Sequence, residues 1–179
     1  MKKLLLLMVA VLVTVCMNAQ FKRAYLQATG LTCAMCSNAI NKALQAKPFI
    51  QSVKSDIKNS AFDIVFKENA DVDIDEIRKA VEDAGFGIGS LKLTANFNEL
   101  KIANDAHVEI GGRHFHFLSV SDRVLNGEQT ITIVDKDFLT AKQFRKFSES
   151  TKMKCLLAGK AANCCPGVAS GTRIFHATI

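Results

Sequence analysis

The sequence lacks the features that would assign it to several common functional classes. Its formal net charge is +6, but the positive residues are not gathered into a Lys/Arg block, which argues against nucleic acid as a partner. No Ser/His/Asp signature, phosphate-binding glycine loop, internal repeat or low-complexity stretch is visible. We therefore expect neither an enzyme nor a nucleic-acid-binding protein.

The sequence also lacks a long hydrophobic run. The apolar stretch at residues 4–15 is shorter than the roughly 20 residues that span a membrane. Two lysines precede it and small residues follow, so residues 1–19 resemble a secretory signal peptide. We expect export, as to a periplasm, and a mature chain starting at Gln20. Lipid attachment at Cys16 is the alternative, although Val15 is not the small residue that a lipobox requires.

The six cysteines are unevenly placed. Export implies an oxidising compartment, and an odd number of cysteines follows the expected cleavage site: Cys33, Cys36, Cys155, Cys164 and Cys165. They cannot all pair within one molecule. A disulfide from Cys155 to Cys164 or Cys165 is expected, and a metal site built from cysteine and histidine is the alternative.

Residues 20–95 carry the periodicities of an α+β domain. A helix start is indicated by Asp73, with Glu76 three residues later as in a capping box, and Gly85 ends this helix. The patterns predict strands at 24–29, 53–58, 62–66 and 86–94 and helices at 36–47 and 74–84. This βαββαβ order is the ferredoxin-like arrangement.

Residues 96–179 predict a second, strand-rich domain with one helix. Gly111-Gly112 predicts a two-residue hairpin turn. The patterns predict strands at 107–110, 113–120, 130–134 and 173–179, a helix at 138–148, and a cysteine-containing loop at 155–171. A small OB-like barrel is the expected architecture.

The Cys33-Ala34-Met35-Cys36 segment lies between the first strand and the first helix. At a helix start the two sulfurs point the same way, and the helix dipole favours their thiolate forms. Thiolates select Cu(I), Zn(II) and related soft ions. Two sulfurs suit Cu(I) or Hg(II), because a closed zinc site wants four ligands and no second Cys-x-x-Cys is present. A redox pair and a plain disulfide are the alternatives.

Residues 22–94 resemble the heavy-metal-associated domain of copper chaperones, copper-ATPase N-terminal repeats and periplasmic mercury-binding proteins. The family motif Gly-Met-Thr-Cys-x-x-Cys matches residues 30–36, with Leu31 in place of Met, and the family's Gly-Phe pair matches Gly85-Phe86. The resemblance implies metal binding by Cys33 and Cys36 and handover of the ion by ligand exchange. It also implies that the Phe86 ring lies close to the metal loop.

The hairpin predicted after residue 100 carries three of the four histidines. If Ile110 pairs with Arg113 across the turn, four potential ligands share one face of the hairpin, because opposed residues point the same way: His107, Glu109, His114 and His116. Imidazoles suit Cu(II) or Zn(II), and a merely polar outer face is the alternative. His176 is interpreted as an ordinary strand residue and Asp135 as a solvated turn residue.

The favoured interpretation is an exported protein that binds a soft metal, chiefly Cu(I), for trafficking, buffering or resistance. A membrane metal transporter or a cuproprotein would be its partner. One alternative is a periplasmic protein that exchanges disulfides with its partner. The other is a metal-sensing interaction module whose C-terminal domain binds a protein.

Overall fold

The computed structural model describes residues 19–31 and 34–179. Residues 1–18, with Cys16 and nearly all of the predicted signal peptide, and residues 32–33 lie outside the described residues. The strands are β1 (Gln20–Thr29), β2 (Ile50–Asp56), β3 (Ala61–Phe66), β4 (Gly87–Ile102), β5 (His107–Ile110), β6 (Arg113–Phe117), β7 (Arg123–Ile133) and β8 (Ile174–Thr178). The helices are α1 (Ala34–Gln45), α2 (Ile74–Asp83), α3 (Ala141–Ser150) and α4 (Cys155–Ala158), with a 3-10 helix at Lys136–Phe138.

The first half of the chain has the predicted βαββαβ order. Its strands lie in the order β2-β3-β1-β4, all antiparallel, which is the ferredoxin-like arrangement. Asp73 caps α2 by accepting a hydrogen bond from the Glu76 N–H at 3.0 Å, and Gly85 follows the helix with φ at +87°. Fully buried residues of α1 and α2, such as Ile40 and Ile77, join the core.

The two predicted domains share one sheet. β4 is 16 residues long and continues across the expected boundary between residues 95 and 96. The full order is β2-β3-β1-β4-β7-β8-β6-β5, so β4 pairs with β1 on one side and β7 on the other. β2 and β5 form the edges of this sheet, and the structure does not confirm the OB-like barrel expected for residues 96–179.

The two halves also share a core and charged contacts. The ring of Phe115 lies 5.9 Å from that of Phe21 and 5.6 Å from that of Phe175, centroid to centroid. Arg113 of β6 donates a 2.7 Å hydrogen bond to the carbonyl of Val72. The second half is therefore held against the first by packing as well as by strand pairing.

Several predicted elements have different bounds in the structure, and the predicted loop at 155–171 begins with the short helix α4. The predicted 138–148 helix is a 3-10 turn followed by α3, which begins later because Thr140 and Gln143 form a capping box. β6 ends at Phe117 rather than at residue 120, and Ser119 has a φ of +56°, which strand geometry excludes. β7 starts at Arg123, seven residues before the predicted strand. None of the described helices combines the length and apolar character needed to cross a membrane.

Candidate metal sites

The first candidate site is the loop between β1 and α1. β1 ends at Thr29, and Gly30 turns the chain with φ at +82°, a conformation that glycine adopts without strain. Leu31 is half-buried against the core, the structural role expected for the residue that replaces the family's Met. Cys36 lies half-buried in the first turn of α1. Cys33 lies outside the described residues.

Phe86 flanks this loop, as the resemblance implies. A Cβ added to Gly30 would lie 3.9 Å from Cδ1 of Phe86, so the ring is next to the motif backbone. Gly85 positions it by ending α2 in the left-handed conformation. Met35, between the two cysteines, is 82% exposed. An aromatic ring thus lies beside Gly30 at one end of the motif, and Met35, which precedes Cys36 in the sequence, faces solvent.

The second candidate site begins at the β5–β6 hairpin, whose register is the predicted one. His107 pairs with His116, and Glu109 pairs with His114. The rings of His107 and His116 stack with their centroids 4.4 Å apart. The polar-face alternative does not hold for His116, because its side chain is completely buried.

Cys155 covers this pair of imidazoles. Its sulfur lies 3.6 Å from Nδ1 of His116, and it is the first residue of α4, which ends at Gly159 with φ at +63°. The N–H of Gly159 donates to the carbonyl of Cys155 at 2.7 Å, the bond typical of a glycine that closes a helix. This short helix therefore fixes the direction of the thiol.

Three thiols lie together beside the imidazoles. The sulfurs of Cys164 and Cys165 are 3.7 Å apart, and those of Cys155, Cys164 and Cys165 all lie within 4.8 Å of one another. The ligand atoms of His107, His116 and Cys155 meet the same limit, so Cys155 belongs to both groups. Each of the three cysteines is a free thiol, and the predicted disulfide is not observed.

Two carboxylates orient two of the buried histidines. Asp105 accepts from Nε2 of His116 at 3.1 Å, and Asp135 accepts from Nδ1 of His176 at 2.7 Å. Because a carboxylate can only accept, the nitrogen facing it carries the hydrogen and the other ring nitrogen keeps its lone pair. Thr151 fixes Asp105 by donating to it at 2.8 Å.

Two ring nitrogens in this region have no hydrogen-bond partner among the described residues. They are Nε2 of His107 and Nε2 of His176, and both atoms are buried. An unsatisfied buried polar group costs roughly 1–3 kcal/mol. The His176 ring meets that of His116 edge-on, 5.1 Å between centroids. The region between the β5–β6 hairpin and Cys155 therefore contains several nitrogen and sulfur atoms whose lone pairs are available to a ligand.

The electrostatics of the cluster disfavour charge in the absence of a metal. Burial, reinforced by repulsion from His176 and His107, lowers the pKa of His116 to about 4. Burial raises the pKa of the Cys155 thiol, and its contacts with Cys165 and Cys164 raise it further. Burial also opposes ionisation of Cys164, but hydrogen bonds from Cys155 and Cys165 lower its pKa overall. At neutral pH the imidazole of His116 is a neutral ligand.

The structure separates the predicted hairpin ligands. His107 and His116 lie together with Cys155, whereas exposed Glu109 and half-buried His114 belong to neither ligand group of the described residues. His107 and His116 belong to a ligand group because the sulfur of Cys155 lies beside them, 3.6 Å from Nδ1 of His116.

Two interpretations of single residues were wrong. His176 is not an ordinary strand residue, because it is fully buried and bonded to Asp135. Asp135 is not solvated, because it is 5% exposed and also accepts from Arg173 at 3.4 Å. The sequence signal that was available is weak: β8 carries a histidine between apolar neighbours, and strand alternation alone does not reveal its partner.

The first half of the chain has known relatives. The family model described as the heavy-metal-associated domain matches residues 26–87. These residues are a heavy-metal-associated domain. A probable copper-transporting ATPase of Arabidopsis thaliana is 36% identical over 74 residues, covering 41% of this chain and 7% of that protein. A copper-transporting ATPase of Helicobacter pylori is 35% identical over 57 residues, covering 32% of this chain and 8% of that protein.

The chain therefore spans less than a tenth of the length of these curated relatives, and the similarity lies in the heavy-metal-associated domain. Among solved structures, a copper-binding domain of a P-type ATPase is 32% identical with a TM-score of 0.34, covering 37% of this chain and 92% of that one. A yeast copper transporter domain is 25% identical with a TM-score of 0.34, covering 37% and 90%.

Proposed function

We propose that this protein binds Cu(I) through the thiolates of Cys33 and Cys36 and passes the ion to another protein by ligand exchange. The observation that carries the proposal is the family match at residues 26–87, within which the Cys-x-x-Cys motif lies. The function is the binding and transfer of an ion rather than a catalysed reaction.

The choice of copper rests on ligand chemistry and on the relatives. Two thiolates supply the soft ligands that Cu(I) prefers. The relatives that are 35–36% identical in this domain are named as copper-transporting ATPases. Nothing comparable supports Zn(II) or Hg(II) at this motif. Exposed Met35 and half-buried Cys36 lie on the side of the domain from which a partner's ligands would approach.

The partner and the location are part of the proposal. A membrane copper transporter or a cuproprotein with its own thiolate ligands fits transfer between similar sites. Export to the periplasm rests on the signal-peptide pattern of residues 1–19. The lipid-attached form at Cys16 would differ only in holding the protein at the membrane surface.

The test is an anaerobic Cu(I) titration of the reduced protein against a chromophoric Cu(I) chelator. We expect one Cu(I) per chain to withstand the competitor in the wild type and to be lost in the Cys33→Ser/Cys36→Ser variant. The removal of both thiolates leaves no soft ligand in the loop. Cys164→Ser/Cys165→Ser is the matched control, since it also replaces two thiols by hydroxyls but outside the motif, and it should retain the Cu(I) bound at the motif.

Two results would reject the proposal. One is equal Cu(I) retention by the wild type and the Cys33→Ser/Cys36→Ser variant. The other is metal-independent reduction of insulin by the wild type that the double variant loses, because it would identify Cys33 and Cys36 as a disulfide-exchange pair.

A further inference from the structure

The cluster of thiols and imidazoles in the second half has no role in the proposed function. It is built from β5, β6 and the segment around α4 and the Cys164-Cys165 turn, whereas Cys33 and Cys36 belong to the β1–α1 loop. Burial distinguishes it from a surface collection of side chains: Cys155, His116 and Cys165 are 0%, 0% and 4% exposed. The inference therefore stands independently of copper binding at the motif.

Two distances in the cluster match edges of a metal tetrahedron. With sulfur about 2.3 Å and nitrogen about 2.0–2.1 Å from Zn(II), tetrahedral angles place a sulfur and a nitrogen about 3.6 Å apart and two sulfurs about 3.8 Å apart. Cys155 and His116 show 3.6 Å, and Cys164 and Cys165 show 3.7 Å. Two edges therefore already have the spacing that a common ion requires. His116 shares no group within 4.8 Å with Cys164 or Cys165, so the Cys164-Cys165 turn has to move toward His116 as the ion binds, with Cys155 common to both groups.

The lone pair of His116 is directed at the cluster. Asp105 accepts from Nε2, so Nδ1 is the unprotonated nitrogen, and Nδ1 is the atom next to the Cys155 sulfur. This carboxylate–imidazole arrangement is the one that orients metal-binding histidines in proteins. Buried Nε2 atoms of His107 and His176, which have no hydrogen-bond partner among the described residues, are further donors within the same region.

A catalytic Cys-His pair is a poorer account of the same atoms. Reactive cysteines are partly exposed and have a lowered pKa, whereas Cys155 is completely buried and its pKa is raised by that burial. A bound cation reverses this preference, because coordination deprotonates a thiol outright. The buried thiol of Cys155 is therefore better suited to be a metal ligand, which becomes a thiolate when the metal binds, than to be a nucleophile.

We propose that Cys155, Cys164, Cys165 and His116 form a second metal site, which binds one Zn(II) and ties the α4 segment to the β5–β6 hairpin. Three sulfurs and one imidazole nitrogen are a ligand set of closed structural zinc sites. Binding converts three thiols to thiolates and releases three protons to solvent. The site then keeps one net negative charge with Zn(II) but two with Cu(I), and burial penalises the larger charge.

The experiment starts from the Cys33→Ser/Cys36→Ser variant, which removes the motif thiols. We expect the reduced protein to bind one Zn(II) per chain and one Co(II) in its place. The Co(II) form should show the intense sulfur-to-cobalt charge-transfer band and the visible bands of tetrahedral coordination. Zn(II) should raise the melting temperature, because the ligands lie on separate segments that only the folded chain brings together.

Adding Cys164→Ser/Cys165→Ser to this background should abolish the charge-transfer band and the stabilisation by Zn(II). His114→Gln is the matched control, because His114 lies two residues from His116 on the same strand but outside both ligand groups. This change should alter neither the charge-transfer band nor the stabilisation by Zn(II). Circular dichroism without metal establishes that each variant is folded.

Asp105→Asn tests the orientation of His116 with little risk to folding. Asp105 has a φ of +58°, which Asn tolerates, and the change keeps an acceptor but removes the charge. We expect Zn(II) affinity to fall by about 10–100-fold, with the same tetrahedral spectrum.

The site is refuted by any of three results: no Zn(II) bound by the Cys33→Ser/Cys36→Ser variant, a Co(II) spectrum without sulfur coordination, or unchanged binding after Cys164→Ser/Cys165→Ser. Binding of Cu(I) but not of Zn(II) at these thiols would reject the zinc assignment. The two proposals fail separately. Cys33→Ser/Cys36→Ser should lose Cu(I) from the motif and keep Zn(II) at the second site, whereas Cys164→Ser/Cys165→Ser should lose Zn(II) and keep Cu(I).

Discussion

The protonation of His116 is set by its surroundings rather than by its own chemistry. The ring is buried between two other imidazoles, and within the part of the chain that the structure describes only Asp105 offers a negative charge to its Nε2. Burial and repulsion from the neighbouring imidazoles therefore disfavour the protonated ring by more than the hydrogen bond to Asp105 favours it, and the pKa of His116 is about 4. A neutral imidazole can bind a metal ion. In the metal-free protein, however, the low pKa of this ring means that acid favours the unfolded state, in which the ring can be protonated.

The metal-free protein should lose stability as pH falls. An imidazole in the unfolded chain titrates near 6.5, so between about pH 6.5 and pH 4 the unfolded state binds a proton that folded His116 does not. The free energy of unfolding should fall there by up to about 1.4 kcal/mol per pH unit and level off below the folded pKa. Urea unfolding with a chelator present measures this.

His116→Gln should make this dependence shallower, although His107, whose pKa is also lowered by burial, keeps a part of it; His114→Gln should leave it unchanged. Parallel curves for wild type and His116→Gln would show that other groups carry the acid sensitivity. The comparison uses slopes with pH, so any constant loss of stability caused by the buried substitution does not affect it.

The β5–β6 hairpin is the element that places His107 opposite His116. Its turn consists of Gly111 and Gly112, with φ at +57° and +73°, the conformation of a type I′ turn. The two glycines differ in their surroundings. A Cβ at Gly111 would lie 3.1 Å from the Ala19 carbonyl oxygen, whereas a Cβ at Gly112 would have nothing within 4 Å.

Alanine at the two turn positions should therefore have unequal effects. Gly112→Ala should cost about 1–2 kcal/mol, the penalty of the left-handed conformation, and Gly111→Ala should cost more because a backbone oxygen must also move. Gly112→Asn should cost less than Gly112→Ala, since Asn tolerates this conformation. Chemical denaturation measures all three, and equal losses at both positions would contradict the packing of β1 beneath the turn.

The whole molecule is organised around a core that crosses the predicted domain boundary. Phe115 from the second half contacts Phe21 from the first, and β4 continues through the boundary to pair with both halves. Arg173 adds a hydrogen bond to Asp75 of α2 at 2.9 Å. The heavy-metal-associated domain and the cysteine-containing segment should consequently unfold together.

Phe115→Ala tests this coupling. It should destabilise the protein by about 3–5 kcal/mol and shift the unfolding of both halves equally. Tyr25 of β1 is the only tyrosine and tryptophan is absent, so tyrosine fluorescence reports on the first half, while amide hydrogen exchange reports on the second. Leu157→Ala, at a 73% exposed position, should change stability by no more than about 0.5 kcal/mol. A Tyr25 transition unaffected by Phe115→Ala would indicate independent domains.

Local signals made the first half predictable. The Asp73 cap, the Gly85 stop and the apolar periodicity of each element are encoded within a few residues of one another, and the structure has the order that they indicate. The hairpin register followed for the same reason, because a two-residue turn fixes the pairing. Strand pairing between distant segments has no such local code, and the structure does not confirm the OB-like barrel expected there.

By itself the sequence determined the heavy-metal-associated domain, its Cys-x-x-Cys motif and the pairing of His107 with His116, since each depends on spacing along the chain. Only the tertiary structure decided that Cys155, 39 residues from His116, covers that imidazole, and that His176 and Asp135 are buried as a pair. The physical reason is that these contacts arise where β8 joins β6 and β7 in the sheet, and burial there changes the chemistry of residues that look ordinary in sequence.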